Sequence, residues 1–160
     1  RIRSLAIDSR WRIREAVAKA IHILLEKKGF DLINELENWV VNEEWLVMRA
    51  VATGVAEPSL LTDKKLAQKA LLLHKLILNQ ISESVKRNNE EFKTLRKGLG
   101  YSLSVVVQAI PEDGFKFMDE FVMNEDKDIR WILKENLKKK RLTKNHPSEV
   151  KSLIKKLKQD

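Results

Sequence analysis

The phrase "DSRWRIREAVAKA", from Asp8 to Ala20, is written again in changed form as "NEEWLVMRAVATG", from Asn42 to Gly54. Each opens on a short polar cluster, places a Trp three residues in, and runs into Ala-Val-Ala. Two further copies follow. "NEEFKTLRKGLG" starts at Asn89 and has Phe92 at the Trp position; "NEDKDIRWILKEN" starts at Asn124 and has Lys127 there. The openings at residues 8, 42, 89 and 124 are spaced by 34, 47 and 35. Self-similarity at this period implies a repeat architecture, in which each unit buries its apolar face on its neighbours.

Each phrase reads as the start of a helix. Asp, Asn or Glu precedes an apolar-periodic run, which suits capping and the helix dipole. In the first copy Ile13, Val17, Ala20, Ile21 and Leu24 follow at helical spacing. A second helical segment lies between copies. "FDLINELENWVV" aligns Leu32, Leu36, Trp39 and Val40. "DKKLAQKALLLHKLILNQI" aligns Leu66, Ala70, Leu73, Ile77 and Ile81. "EDGFKFMDEFVM" aligns Phe117, Met118, Phe121 and Val122. Breakers fall between these segments at Gly29, Pro58, Pro111 and Pro147, and no alternating strand pattern competes. The expected fold is all-α: a right-handed α-solenoid of about four helix pairs in a single domain over residues 1–160. The repeats run roughly 1–28, 29–58, 62–110 and 112–144, with a capping helix over 147–158.

Composition narrows the chemistry. The absence of Cys excludes disulfides, thiolate metal sites and Cys nucleophiles. No cofactor-binding loop or nucleophile elbow occurs, so no cofactor is expected. The isolated His22, His74 and His146 have no metal-ligand spacing. No apolar run is long enough for a membrane span and no signal peptide is visible, so a cytoplasmic protein is expected; the chain begins at Arg1 rather than Met. The formal charge of +8 is uneven: residues 1–28 carry +5, residues 134–160 carry +7, and residues 29–133 carry −4. Basic ends favour a polyanionic partner, while a solvated Lys-rich surface is the plainer account.

The phrases resemble HEAT repeats, whose pattern is an acidic turn, then Val/Ile-Arg, then small and apolar residues. Ile13-Arg14 and Ile129-Arg130 stand in that form. A narrower resemblance is to the HEAT-like DNA alkylation repair family, which contains alkylpurine DNA glycosylases. "RKGLGYSLSVVVQAIPEDGF" is similar to that family's "KAIGWxLREYAKxxP" segment, with Lys97, Gly100, Leu103 and Pro111 coinciding. The resemblance places Tyr101 where the family has a DNA-contacting Trp, and Ser104 where it has an Arg. It makes Trp11 and Glu15 the counterparts of a Trp and a catalytic Asp, and sets Arg49 one residue away from a family Arg. It implies a DNA-binding module, with glycosylase activity through Glu15 as a further possibility.

The candidate DNA-binding residues follow. Arg14, Arg49, Arg96 and Arg130 recur near one place in each second helix, either as a row of phosphate contacts or as a ladder onto the acidic turns (Asp8, Glu43, Glu44, Glu90, Glu91, Asp126 and Asp128). Arg10, Arg12 and Arg14 oppose the dipole of the helix they begin, which favours an anionic ligand beside Trp11. Lys134, Lys138 and Arg141 lie near one face of a helix through "KENLKKKRLTK". Trp11, Trp45, Tyr101 and Trp131 could stack on bases or belong to the core, where Trp39 is placed. Gly98 and Gly100 each cost a helix about 1 kcal/mol, which calls for a close approach by a neighbouring helix or by a phosphate. DNA is the leading partner, and a protein partner on a non-enzymatic scaffold is the alternative.

Overall fold

The computed structural model describes residues 1–41 and 44–159. Within them the chain is helical and contains no strand. The elements are α1 (Ile2–Leu5), α2 (Trp11–Lys28), α3 (Phe30–Trp39), α4 (Trp45–Val55), a 3-10 turn (Leu60–Thr62), α5 (Lys64–Glu83), α6 (Glu90–Ala109), α7 (Pro111–Phe121), α8 (Lys127–Leu137), α9 (Lys140–Thr143) and α10 (Pro147–Leu157).

The helix starts have local causes. Asn89 Oδ1 accepts from the Phe92 N–H at 2.8 Å, and Asp126 Oδ1 accepts from Asp128 and Ile129, so α6 and α8 begin on side-chain caps. Asp63 does the same for α5. Pro111 and Pro147 open α7 and α10, where a missing N–H costs nothing. Gly29 separates α2 from α3 at φ 54°, which a side chain would resist.

The repeated phrases become α2, α4, α6 and α8, and these pack on one another in chain order. The opening of the α4 phrase, Asn42 and Glu43, lies outside the described residues. α4 approaches α2 so closely that a Cβ at Gly54 would fall 2.8 Å from Ile21 and 2.9 Å from the Ala18 carbonyl. The intervening helices add α5 and α7 against α6, with α3 against α4 and α5. The core runs continuously through Ile21 and Leu25, Met48 and Val51, Leu73 and Ile77, Leu95 and Leu103, and Ile129 and Leu133.

Three expectations are corrected. The buried stripe of α2 is Val17, Ala18, Ile21 and Leu25, so Leu24 sits one step off the core. In α3 the core positions are Ile33 and Leu36, followed by Val40; Trp39 is only half-buried and donates its Nε1–H to Glu35 at 3.1 Å. The basic stretch after Lys134 is not one helix. α8 stops at Leu137, Lys139 takes an extended conformation (φ −70°, ψ 132°), and α9 starts afresh. Burying Leu142 turns the chain there.

Candidate nucleic-acid interface

An open groove of about 620 Å³ is lined by Trp11, Arg14, Glu15, Arg49, Thr94, Lys97, Gly98, Gly100, Tyr101, Trp131, Glu135 and Lys139. These residues come from α2, α4, α6 and α8 together with the link into α9. The packing of the phrase helices thus gathers side chains far apart in sequence. Of the candidates named above, Trp11, Arg14, Glu15, Arg49, Tyr101 and Trp131 meet here, together with Gly98 and Gly100.

The cations divide by what holds them. Arg14 Nη1 donates to the carbonyls of Asp8 and Ser9 at 2.6 and 3.0 Å, tying α2 to the turn before it. Arg49 pairs with Glu15, joining α4 to α2. Glu135, on the far wall, pairs with Lys138 at 2.8 Å. The ammonium groups of Lys97 and Lys139 make no hydrogen bond or ion pair among the described residues, and Lys97 is exposed. Both carboxylates of the groove are therefore already neutralised, while two ammonium groups are left facing it. Its field is positive.

The aromatic walls differ in how they are held. Trp131 is packed on two sides. The Arg96 guanidinium lies 3.8 Å from its ring centroid, and the ring edge rests on α6 where a Cβ at Gly100 would come within 3.2 Å. Gly98 lies against Arg49 and Thr53, where a Cβ would meet side-chain carbons at 3.4 Å. Both glycines thus serve the approach of neighbouring side chains. Trp11 and Tyr101 remain 61% and 39% exposed at the rim. Trp45 is no candidate: it is buried, packs edge-on against Phe92 and donates to the Lys86 carbonyl.

α6 is shaped from behind by Asn136. This fully buried amide donates to the Leu99 and Ile132 carbonyls at 2.8 and 2.7 Å, and accepts from the Ser104 N–H at 2.8 Å. On α6 it spans two backbone groups, those of Leu99 and Ser104, which bracket Gly100 and Tyr101. A side chain inserted in a helix ladder in this way alters the local course of the helix. The groove wall is thereby set by a residue of α8.

The remaining candidates lie elsewhere. Arg96 pairs with Asp128, its Nε 3.0 Å from Oδ1 but off the line of a hydrogen bond, so the contact is Coulombic. Arg10 is the N-cap of α2 and grips Asp8 through two hydrogen bonds of 3.0 and 2.9 Å. Hydrogen bonds from Arg10 hold the Asp8 carboxyl down at about 2. The unfavourable cluster at the start of α2 is thus relieved internally, by Asp8 and by the turn carbonyls. Arg130 donates to the carbonyls of Val122, Asn124 and Leu157, serving the ends of α7 and α10. Lys134 and Lys138 border a separate cleft of about 400 Å³ with Trp131, Ile154, Leu157 and Lys158. Arg141 does not join them, because the break after α8 turns it toward the Ser104 hydroxyl at 3.1 Å.

The arginines do not form one uniform ladder onto acidic turns. Arg96 reaches the turn of the next phrase, Arg49 a carboxylate of the preceding helix, and Arg14 and Arg130 backbone carbonyls. Two turn pairings escaped sequence reasoning. Arg87 bonds Asp126 and Asp128, and Arg3 bonds Glu44. Glu43 lies outside the described residues. Lys139 was hidden in a run of similar lysines, with no signal to single it out. His74 is buried between α5 and α6 with Nδ1 2.8 Å from the Ala70 carbonyl and Nε2 2.8 Å from Ser102 Oγ; burial pushes its pKa down to about 4. It is therefore a neutral ring, donating from Nδ1 and accepting at Nε2.

Among the described residues no cluster of three or more His, Asp or Glu is arranged to hold a metal ion, and no helix is long and apolar enough to cross a membrane. No protein-family model, curated protein or solved structure matches the chain, so the functional reading rests on the groove itself.

Proposed function

We propose that this chain is a solenoid of HEAT-like helix pairs, akin to the DNA alkylation repair proteins, that holds the backbone of DNA in the groove formed by α2, α4, α6 and α8. The solenoid reading is supported by the chain-order packing of the four phrase helices. The binding reading is carried by one observation: Lys97 and Lys139, unpartnered among the described residues, share a groove with the exposed rings of Trp11 and Tyr101. Unpaired ammonium groups beside flat apolar surface suit a ligand that offers both phosphate and aromatic bases. Arg141, brought beside Ser104, adds a cation near the position where the resembled family carries one. No side chain lining the groove presents a bidentate fork free of other partners among the described residues, so binding is expected to be indifferent to sequence.

The placement of Glu15 favours a second reading. Its carboxylate is half-exposed in the same groove as Trp11 and Tyr101, where it could steady positive charge developing on a sugar as an alkylated base departs. Arg49 already claims this carboxylate, which argues for positioning before chemistry. Titrating a labelled duplex over a salt series tests the first reading. Affinity falling steeply with salt supports it. Absence of binding at low salt removes it and leaves a protein-interaction scaffold. Release of alkylated base that stops in Glu15→Gln would establish the second.

A further inference from the structure

We infer that the groove takes unpaired bases, so that a single-stranded or gapped nucleic acid is preferred over continuous duplex. This rests on the reading of the groove as a nucleic-acid site and specifies which form of nucleic acid it favours.

Three aromatic side chains from three helices, Trp11 of α2, Tyr101 of α6 and Trp131 of α8, line one cavity whose other long side chains are charged. A single exposed ring on a protein surface needs no explanation. Three that converge on one cavity with unpartnered cations ask for a ligand with flat apolar faces and negative charge. Continuous duplex keeps its base faces stacked inside and presents only phosphates and base edges. Unpaired bases present their faces, and stacking of those faces on aromatic side chains is how single strands are held.

The geometry agrees. Trp131 is held between Arg96 and its seat on Gly100, at the wall of the groove. Trp11, at the first position of α2, has the Arg12 guanidinium 5.4 Å from its centroid and leaves most of the ring to solvent. The groove, of about 620 Å³, has room for a nucleotide-sized group. Lys97 and Lys139, which line the same groove, supply positive charge for the phosphates beside a stacked base. Ammonium groups act there as point charges and distinguish no base from another.

The test uses the full chain and three labelled oligonucleotides of equal length at one low salt concentration: a single strand, its blunt duplex, and a strand whose sugars carry no bases. The single strand should bind at least about fivefold tighter than either of the others, the smallest gain expected from stacking one base. Trp11→Ala with Tyr101→Ala should remove that preference, lowering affinity for the single strand by more than affinity for the duplex or the base-free strand. Equal affinity for all three oligonucleotides overturns this inference while the backbone-binding reading stands. An equal loss for all three in the double variant overturns it as well. Absence of binding to any of them overturns both readings.

Discussion

Replacing Asn136 with Leu keeps the branching and heavy-atom count of the side chain and removes three buried hydrogen bonds, at 2.8, 2.7 and 2.8 Å. The Ile132 carbonyl lies four residues back on the same helix and is the least affected, since the regular helix bond also serves it. The Leu99 carbonyl is served in the same way from within α6, so the Ser104 N–H, which loses its acceptor on α8, carries most of the cost. A buried polar group deprived of its partner costs about 1–3 kcal/mol, and the variant should lose about that much. Domains of this kind are stable by about 5–15 kcal/mol, so the variant should fold with part of its margin gone. Urea unfolding followed by far-UV circular dichroism reads this directly. With a slope of about 2 kcal/mol per molar urea, the midpoint should fall by about 0.5–1.5 M at unchanged slope. A fall of less than about 0.5 M would refute the view that this amide is built into α6. Asn136→Asp sharpens the test. The carboxylate can still accept from Ser104 but faces two carbonyls, so its folded pKa is raised. A raised folded pKa makes the folded state bind more protons, so this variant should gain on the wild type as pH falls below that pKa.

Three further predictions concern other parts of the molecule. His74 has its folded pKa lowered to about 4 from 6.5; the unfolded state then binds more protons between these values, so stability is complete above pH 6.5 and is lost as pH falls toward 4. The loss reaches about 3 kcal/mol, and the difference in urea midpoint between pH 7.5 and pH 4.5 should shrink in His74→Gln. Gly100→Val should push the Trp131 ring off α6 and away from Arg96, shifting tryptophan emission and weakening oligonucleotide binding; unchanged emission would contradict the assigned seat. Asp128→Asn removes the carboxylate shared by Arg87 and Arg96 and should cost about 1–3 kcal/mol, read as a lower thermal midpoint that high salt partly restores.

The repeated openings made the starts of α6 and α8 legible because capping, by Asn89 and Asp126, is local; α2 begins at the same place in its phrase as α8 but on Arg10, with no side-chain cap, and the all-helical character followed from periodicity. Stripe registers slipped by one at Leu24 and at Leu32, where Leu25 and Ile33 are the buried residues, since an apolar residue beside the core reads like one inside it. The break after Leu137 was invisible: nothing in a run of lysines marks where the chain turns to bury Leu142. The groove was half legible. Trp11, Glu15, Arg49 and Tyr101 could each be singled out; the contacts of Arg10 and Arg14 with the Asp8 turn are local, but the pairing of Arg49 with Glu15, 34 residues away, depends on long-range packing. The same holds for Asn136 and for the His74–Ser102 pair, whose partners lie on another helix.

If the groove, rather than the overall positive charge, holds DNA, two double charge reversals must behave differently. Lys97→Glu with Lys139→Glu alters the groove; Lys151→Glu with Lys155→Glu changes net charge equally on the exposed side of α10. With each variant, duplex affinity is measured against salt. The groove pair should lower affinity at low salt by more than about tenfold. It should also flatten the dependence of log K on log salt by about 1.8, as expected when two phosphates are no longer neutralised. The α10 pair should leave both nearly unchanged. Equal effects from the two pairs would contradict the groove assignment, because they would make binding a property of net charge alone.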